Sequence, residues 1–204
     1  MTNRKIKHAQ LNMRMNQVFD ANVWIILGAL VCLHRMGESK RRIADVLEEF
    51  RTETVPFWAQ YAAADIQAPK LTEQLRLLKI DFAEVVAVAN YISPIYNSGV
   101  IVALAENLGV LLLQINHSFG YGRKRLMCLL DDLIVYKAAG GDARADAKRL
   151  FGAEVYGDEL PDIDALRSRK PTISPKEAEH YRRELDAVKA LHEHFKLVIK
   201  EPKA

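Results

Sequence analysis

Two glycine turns, each followed by three cations, set the strongest limit on what this chain can fold into. The first reads Met36-Gly37-Glu38-Ser39-Lys40-Arg41-Arg42-Ile43 and the second Phe119-Gly120-Tyr121-Gly122-Arg123-Lys124-Arg125-Leu126. They stand 83 residues apart, in register with apolar patterns of helical period on both sides. A glycine at this point ends a helix in the left-handed conformation, and Ser39 is a good N-cap for the helix that restarts. A chain punctuated in this way folds as helices joined by corners. Placing Val23–Phe50 over Glu106–Leu133 pairs Leu30 with Leu113, His34 with His117, Gly37 with Gly120, Arg42 with Arg125 and Leu47 with Leu130. The shared order of apolar helix, glycine turn, basic triplet, apolar helix and acidic pair predicts a duplicated helical hairpin, with repeats at about 21–53 and 104–136. The competing reading is two separate hairpins that look alike because such corners need a glycine.

Helix is the expectation nearly everywhere else. Only 10 glycines and 7 prolines punctuate 204 residues, and no region alternates for long with period two, so the predicted fold is all-α, a helical bundle. The pattern predicts helices over Arg4–Phe19, Ala21–Met36 (capped by Asp20), Lys40 to about Arg51, Leu71–Asn90, Ser98–Ser118, Arg123 to about Ala139, and a short piece over Asp142–Leu150. Pro56 is expected to open a short aromatic segment with Phe57, Trp58 and Tyr61. These elements form a helical body over 1–155, and the pattern fades over 156–173, where Gly157, Pro161 and Pro171 read as a linker. A C-terminal amphipathic helix then runs over 174–204, with Pro175 at its first position and Ser174 and Glu177 forming a capping box. Its narrow apolar seam, including Tyr181, Leu185, Val188 and Phe195, suits either docking on the body or pairing with a second copy or a partner.

Composition limits the function. Half the residues are hydrophobic, enough for a large core, and the net charge is only +3, so any nucleic-acid role rests on local clusters of charge. Cys32 and Cys128 both fall in apolar runs and are expected as reduced core residues. No signal-peptide core follows the basic N-terminus. The apolar run Val23–Leu33 is too short to span a bilayer, and Val100–Ile115 is broken by Glu106, Asn107 and Gln114. A cytoplasmic protein with no membrane segment is expected.

The basic triplets are the leading candidate site. The first turn of a helix is its positive end, and each cation there costs about 0.3–1 kcal/mol at low salt. Two copies of that arrangement point to a compensating anion, because helix-start N–H groups with Lys and Arg beside them suit a phosphate. Lys40, Arg41, Arg42, Arg123, Lys124 and Arg125, with Tyr121 as a ring that could stack on a base or pack inward, are the expected contacts to a nucleic acid or an acidic partner. The opposing reading is a solvated helix start whose charges pair locally. Arg41 has Asp45 four residues on, whereas the second triplet faces Met127, Cys128 and Leu129 within its own helix.

Other chemistry finds little support. A helix-turn-helix reading of Ile43–Trp58 lacks the turn glycine and places Pro56 inside the recognition helix. No His/Cys/acid cluster has metal-ligand spacing, and Glu48-Glu49 and Asp131-Asp132 are adjacent residues that diverge by about 100° around a helix. Walker, dinucleotide and nucleophile-elbow motifs are missing from the sequence. The expectation is a non-enzymatic protein without cofactor or metal. His34 and His117 read as packing or capping residues.

The phrase Met13-Arg14-Met15-Asn16-Gln17-Val18-Phe19-Asp20 and the second basic turn resemble proteins of Firmicutes phages and prophages, and in particular a group of phage-encoded anti-CRISPR proteins that inhibit Cas9. The resemblance covers about a third of the chain. The first turn departs from it, with Met36 for Phe119 and Ser39 for Gly122, and the C-terminal third has no counterpart. What the resemblance implies is an inhibitor that binds a CRISPR nuclease, its guide RNA or its DNA groove through the basic turns. The alternatives are a phage nucleic-acid-binding protein of replication or transcription, and an assembly factor that uses the C-terminal seam, for instance as a homodimer.

Overall fold

The computed structural model describes residues 3–93, 98–152, 173–183 and 186, and among them there are helices and turns and no strand. The helices are α1 (Asn3–Arg35), α2 (Lys40–Glu49), α3 (Val55–Ala63), α4 (Gln67–Leu77), α5 (Phe82–Ile92), α6 (Ser98–Phe119), α7 (Arg123–Ala138) and α8 (Ala143–Phe151). The fold is all-α.

Two helices make the centre. In the second half of α1, Val23, Ile25, Ile26, Leu27 and every residue from Ala29 to Leu33 are buried, so this stretch is apolar all round, as a helix enclosed on every side must be. It packs against α8, α7, α6 and α2, while α6 is covered by α5, α4 and α1. α6 is long and apolar enough to cross a membrane by length and composition, and half of it is buried against these neighbours. Its apolar character is that of a core helix. α1, α7 and α8 are tied together at Tyr136, whose ring stacks on Trp24 at 5.7 Å and whose hydroxyl donates to Asp146 at 2.7 Å.

Several boundaries differ from the sequence expectation. Asp20 does not cap a second helix. α1 is continuous through it, and the exposed carboxylate instead accepts from Arg144 at 2.7 Å. The helix expected over Leu71–Asn90 is two helices. α4 closes with Lys79 at φ +60°, where the N–H of Ile80 donates to Leu75 and that of Lys79 to Arg76. α5 then restarts from a capping box of Asp81 and Glu84. In the opposite sense, α2 does not stop before Pro56. It passes into α3 through a π turn, Phe50–Thr54. The ring of a helical proline clashes with the carbonyl four residues back, and the wider turn lies where that carbonyl, of Thr52, must give way.

The two glycine corners are present, with Gly37 at φ +99° and Gly120 at φ +66°. They close differently. Glu38 N–H donates to Leu33 and Gly37 N–H to His34, a Schellman pair, whereas Gly120 N–H makes a single bond to Asn116. α7 packs chiefly on α1 and α5 rather than back along α6, so the second copy is a corner more than a side-by-side hairpin. Cys32 is in the core, but Cys128 is exposed on α7, contrary to the expectation that both were buried. Of the expected linker, only Ile173 is among the described residues, and of the C-terminal helix only 174–183 and 186. The seam positions Leu185, Val188 and Phe195 lie outside the described residues.

Candidate functional site

The tertiary fold brings the two basic corners together. Arg42, at the start of α2, donates to the Ser118 carbonyl at 3.1 Å and lies over the Phe119 ring, 4.5 Å from its centroid. Its other amino group pairs with Glu38 at 3.2 Å. The same Glu38 carboxylate accepts from the Tyr121 hydroxyl at 2.6 Å. Glu38 and Tyr121 are 83 positions apart, so residues at matching places in the two corners bind each other. The Arg125 guanidinium covers the outer side of this joint, 4.6 Å from the Tyr121 ring centroid.

Much of the anion deficit at the two helix starts is therefore met from inside. Glu38 serves the first corner. The second is served from a distance, because Arg123 donates to the Lys79 carbonyl at 2.7 Å and pairs with Glu84 at 3.4 Å. Glu84 is available there because it caps α5, accepting from the Asp81 N–H at 3.1 Å. The pair Arg41–Asp45 suggested by the spacing is not formed. Lys40, Arg41 and Lys124 are exposed, and among the described residues none of their side chains has a hydrogen-bond or ion-pair partner. The helix-start N–H groups differ as well: Ser39 accepts from Arg42 N–H at a long 3.4 Å, while Gly122 gives α7 no side-chain cap.

Tyr121 takes the inward of its two expected roles. It is 0% exposed, and its ring packs beside Phe119 at 5.5 Å, so it presents no face on which an outside base can stack. Burial, and then the bond to Glu38, push its phenol up to about 12. The repeat register held a signal for this contact, since it sets Glu38 opposite Tyr121. Glu84 could be found only through the Asp81-x-x-Glu84 spacing of a capping box, and nothing local ties it to Arg123.

The matched histidines separate. The Nδ1 of His34 lies 3.0 Å from the Glu38 carbonyl, which can only accept, so that nitrogen carries a proton and the ring closes the first corner. His117 is exposed, 3.9 Å from Glu49. Glu49 also accepts from Ser118 at 3.1 Å, so the acidic pair Glu48-Glu49 is divided between solvent and the junction. Asp131 and Asp132 are both exposed. Among the described residues no group of three or more His, Cys, Asp or Glu side chains is placed to hold a metal ion.

Tyr181, the one described seam residue of the four, is 3% exposed and docks on this chain's own α4 through a hydrogen bond to Glu73. It is therefore covered by its own body and is not open for a partner. The chain matches no protein-family model, no curated protein and no solved structure.

Proposed function

We propose that this protein acts by binding, and that the joined corners hold a phosphate backbone through Lys40, Arg41 and Lys124. One observation supports the reading. Two carboxylates at the corners are already engaged, Glu38 by Arg42 and Tyr121 and Glu84 by Arg123. Three exposed cations, besides Arg125 with its guanidinium over the Tyr121 ring, are left over at the two helix starts. Such contacts position a nucleic acid without reading its sequence. Within the resemblance, that nucleic acid is the guide or target strand of a CRISPR nuclease and the protein is a phage-encoded inhibitor of it. The same surface serves a phage protein of replication or transcription equally well, and the experiment separates the two.

Fluorescence anisotropy with labelled DNA and RNA over a salt series, run beside a pull-down with a Cas9–guide complex, is the test. Changing Lys40, Arg41 and Lys124 together to Glu is expected to abolish binding in whichever arm shows it. Changing them to Ala is expected to lower the salt slope by roughly 3, one phosphate contact each. Capture only with the nuclease complex identifies the inhibitor. Binding of bare strands identifies the nucleic-acid protein. If neither arm shows binding, or if the triple variants bind as wild type does, the proposal is wrong.

A further inference from the structure

A second concentration of chemistry lies where the segment 174–183 meets α3 and α4. Ser174 accepts the Glu177 N–H at 3.2 Å and starts the helical segment. Glu177 does not complete the expected capping box. Its carboxylate turns away and accepts from the Tyr61 hydroxyl at 3.0 Å and the Lys70 ammonium at 3.2 Å. One turn later Tyr181 donates to Glu73 and sets its ring 5.0 Å from the Lys70 nitrogen. The Tyr61 ring is 5.5 Å from the same nitrogen. A single ammonium thus holds two residues of the segment, four apart on one helical face. Burial works against the charge on Lys70, but its hydrogen bonds with Tyr181 and Glu177 outweigh that and keep its pKa above the ordinary value.

We propose that 174–183 is a strap, docked reversibly by this Lys70-centred latch, and that it opens as a unit while the α1–α8 body stays folded. Three observations support this. The hydrogen bonds and ion pair that Glu177 and Tyr181 make with the body run to α3 and α4. The strap's apolar contribution is small: Tyr181, with Ala178 only partly buried. Its grip is mostly polar, and water can replace such contacts. The Glu177 side chain is 34% exposed, where salt weakens an ion pair. Contacts of this kind mark the low-stability end of a fold. Opening would free the Lys70 ammonium beside Tyr61, whose ring clusters with those of Trp58 and Phe57 at 5.4–5.8 Å; Phe57 is already 49% exposed.

Native-state hydrogen exchange on the full chain tests this. The amides of 177–183 are expected to exchange faster than those of α1 and α6, and faster still when salt is raised from about 0.05 to about 0.5 M. Glu177→Gln and Lys70→Met are each expected to lower protection of the strap by at least about tenfold, with protection in α1 and α6 unchanged. The proposal fails if the wild-type strap exchanges no faster than α1 and α6. It also fails if neither variant alters the strap, or if Glu177→Gln lowers protection of the strap and the core together.

Discussion

Glu106 is a carboxylate among core residues of α6. Ala105 and Leu108 beside it are fully buried, and Asn107 is satisfied by Asn22 at 2.8 Å. Burial first, and the Asp65 carboxylate second, push the Glu106 pKa from the usual 4.5 up to about 7. A carboxyl that holds its proton more tightly when folded contributes stability that is complete below pH 4.5 and lost as pH rises through 7. At ~1.4 kcal/mol per pH unit the loss reaches about 3.5 kcal/mol at most. Glu106→Gln removes this titration. Urea unfolding from about pH 4 to 8 is expected to show a flatter profile, with the variant more stable than wild type at the alkaline end. Parallel profiles would show that the carboxylate is solvated. The sequence marks Glu106 as an interruption in an apolar run but carries no sign of Asp65, which lies between α3 and α4. Cys32 and Cys128 make the same point, since two thiols in similar apolar surroundings end as one buried residue and one exposed one.

At the scale of elements, what a short stretch of chain decides by itself was readable. Gly37 and Gly120 carry positive φ at helix ends, and Ser39 caps where its spacing places it. The failures came where a boundary has no customary residue. α4 ends with Lys79, not glycine, in the left-handed region, so apolar spacing that continues from Leu71 to Asn90 reads as one helix. The capping box at Asp81 was the overlooked signal. Asp81→Ala is expected to cost about 1 kcal/mol in equilibrium denaturation. Retention of full stability would mean that packing of Val85, Val88, Ala89 and Ile92 alone sets the start of α5. The π turn ahead of Pro56 is the converse error, because a proline that usually stops a helix is here absorbed by a widened turn.

At the scale of the whole molecule, the joint between Glu38 and Tyr121 ties a residue between α1 and α2 to one between α6 and α7. A buried phenol donating to a carboxylate is worth about 1.5–3 kcal/mol, so Tyr121→Phe is expected to destabilise by that amount. In a double-mutant cycle with Glu38→Gln, coupling below about 0.5 kcal/mol would show that the two corners act independently. The sequence by itself determined the helical class, most helix ends and the two basic corners, because periodicity, caps and glycine turns act over a few residues. Only the tertiary structure decided which of these cations are paired. Arg42 finds Glu38 and Ser118, Arg123 finds Glu84 and Lys79, and the side chains of Lys40, Arg41 and Lys124 find no hydrogen-bond or ion-pair partner among the described residues. Arg42 meets Ser118 across 76 residues and Arg123 meets Glu84 across 39. Pairings at such separations are set by how α1, α5, α6 and α7 pack, and no local pattern in the chain encodes them.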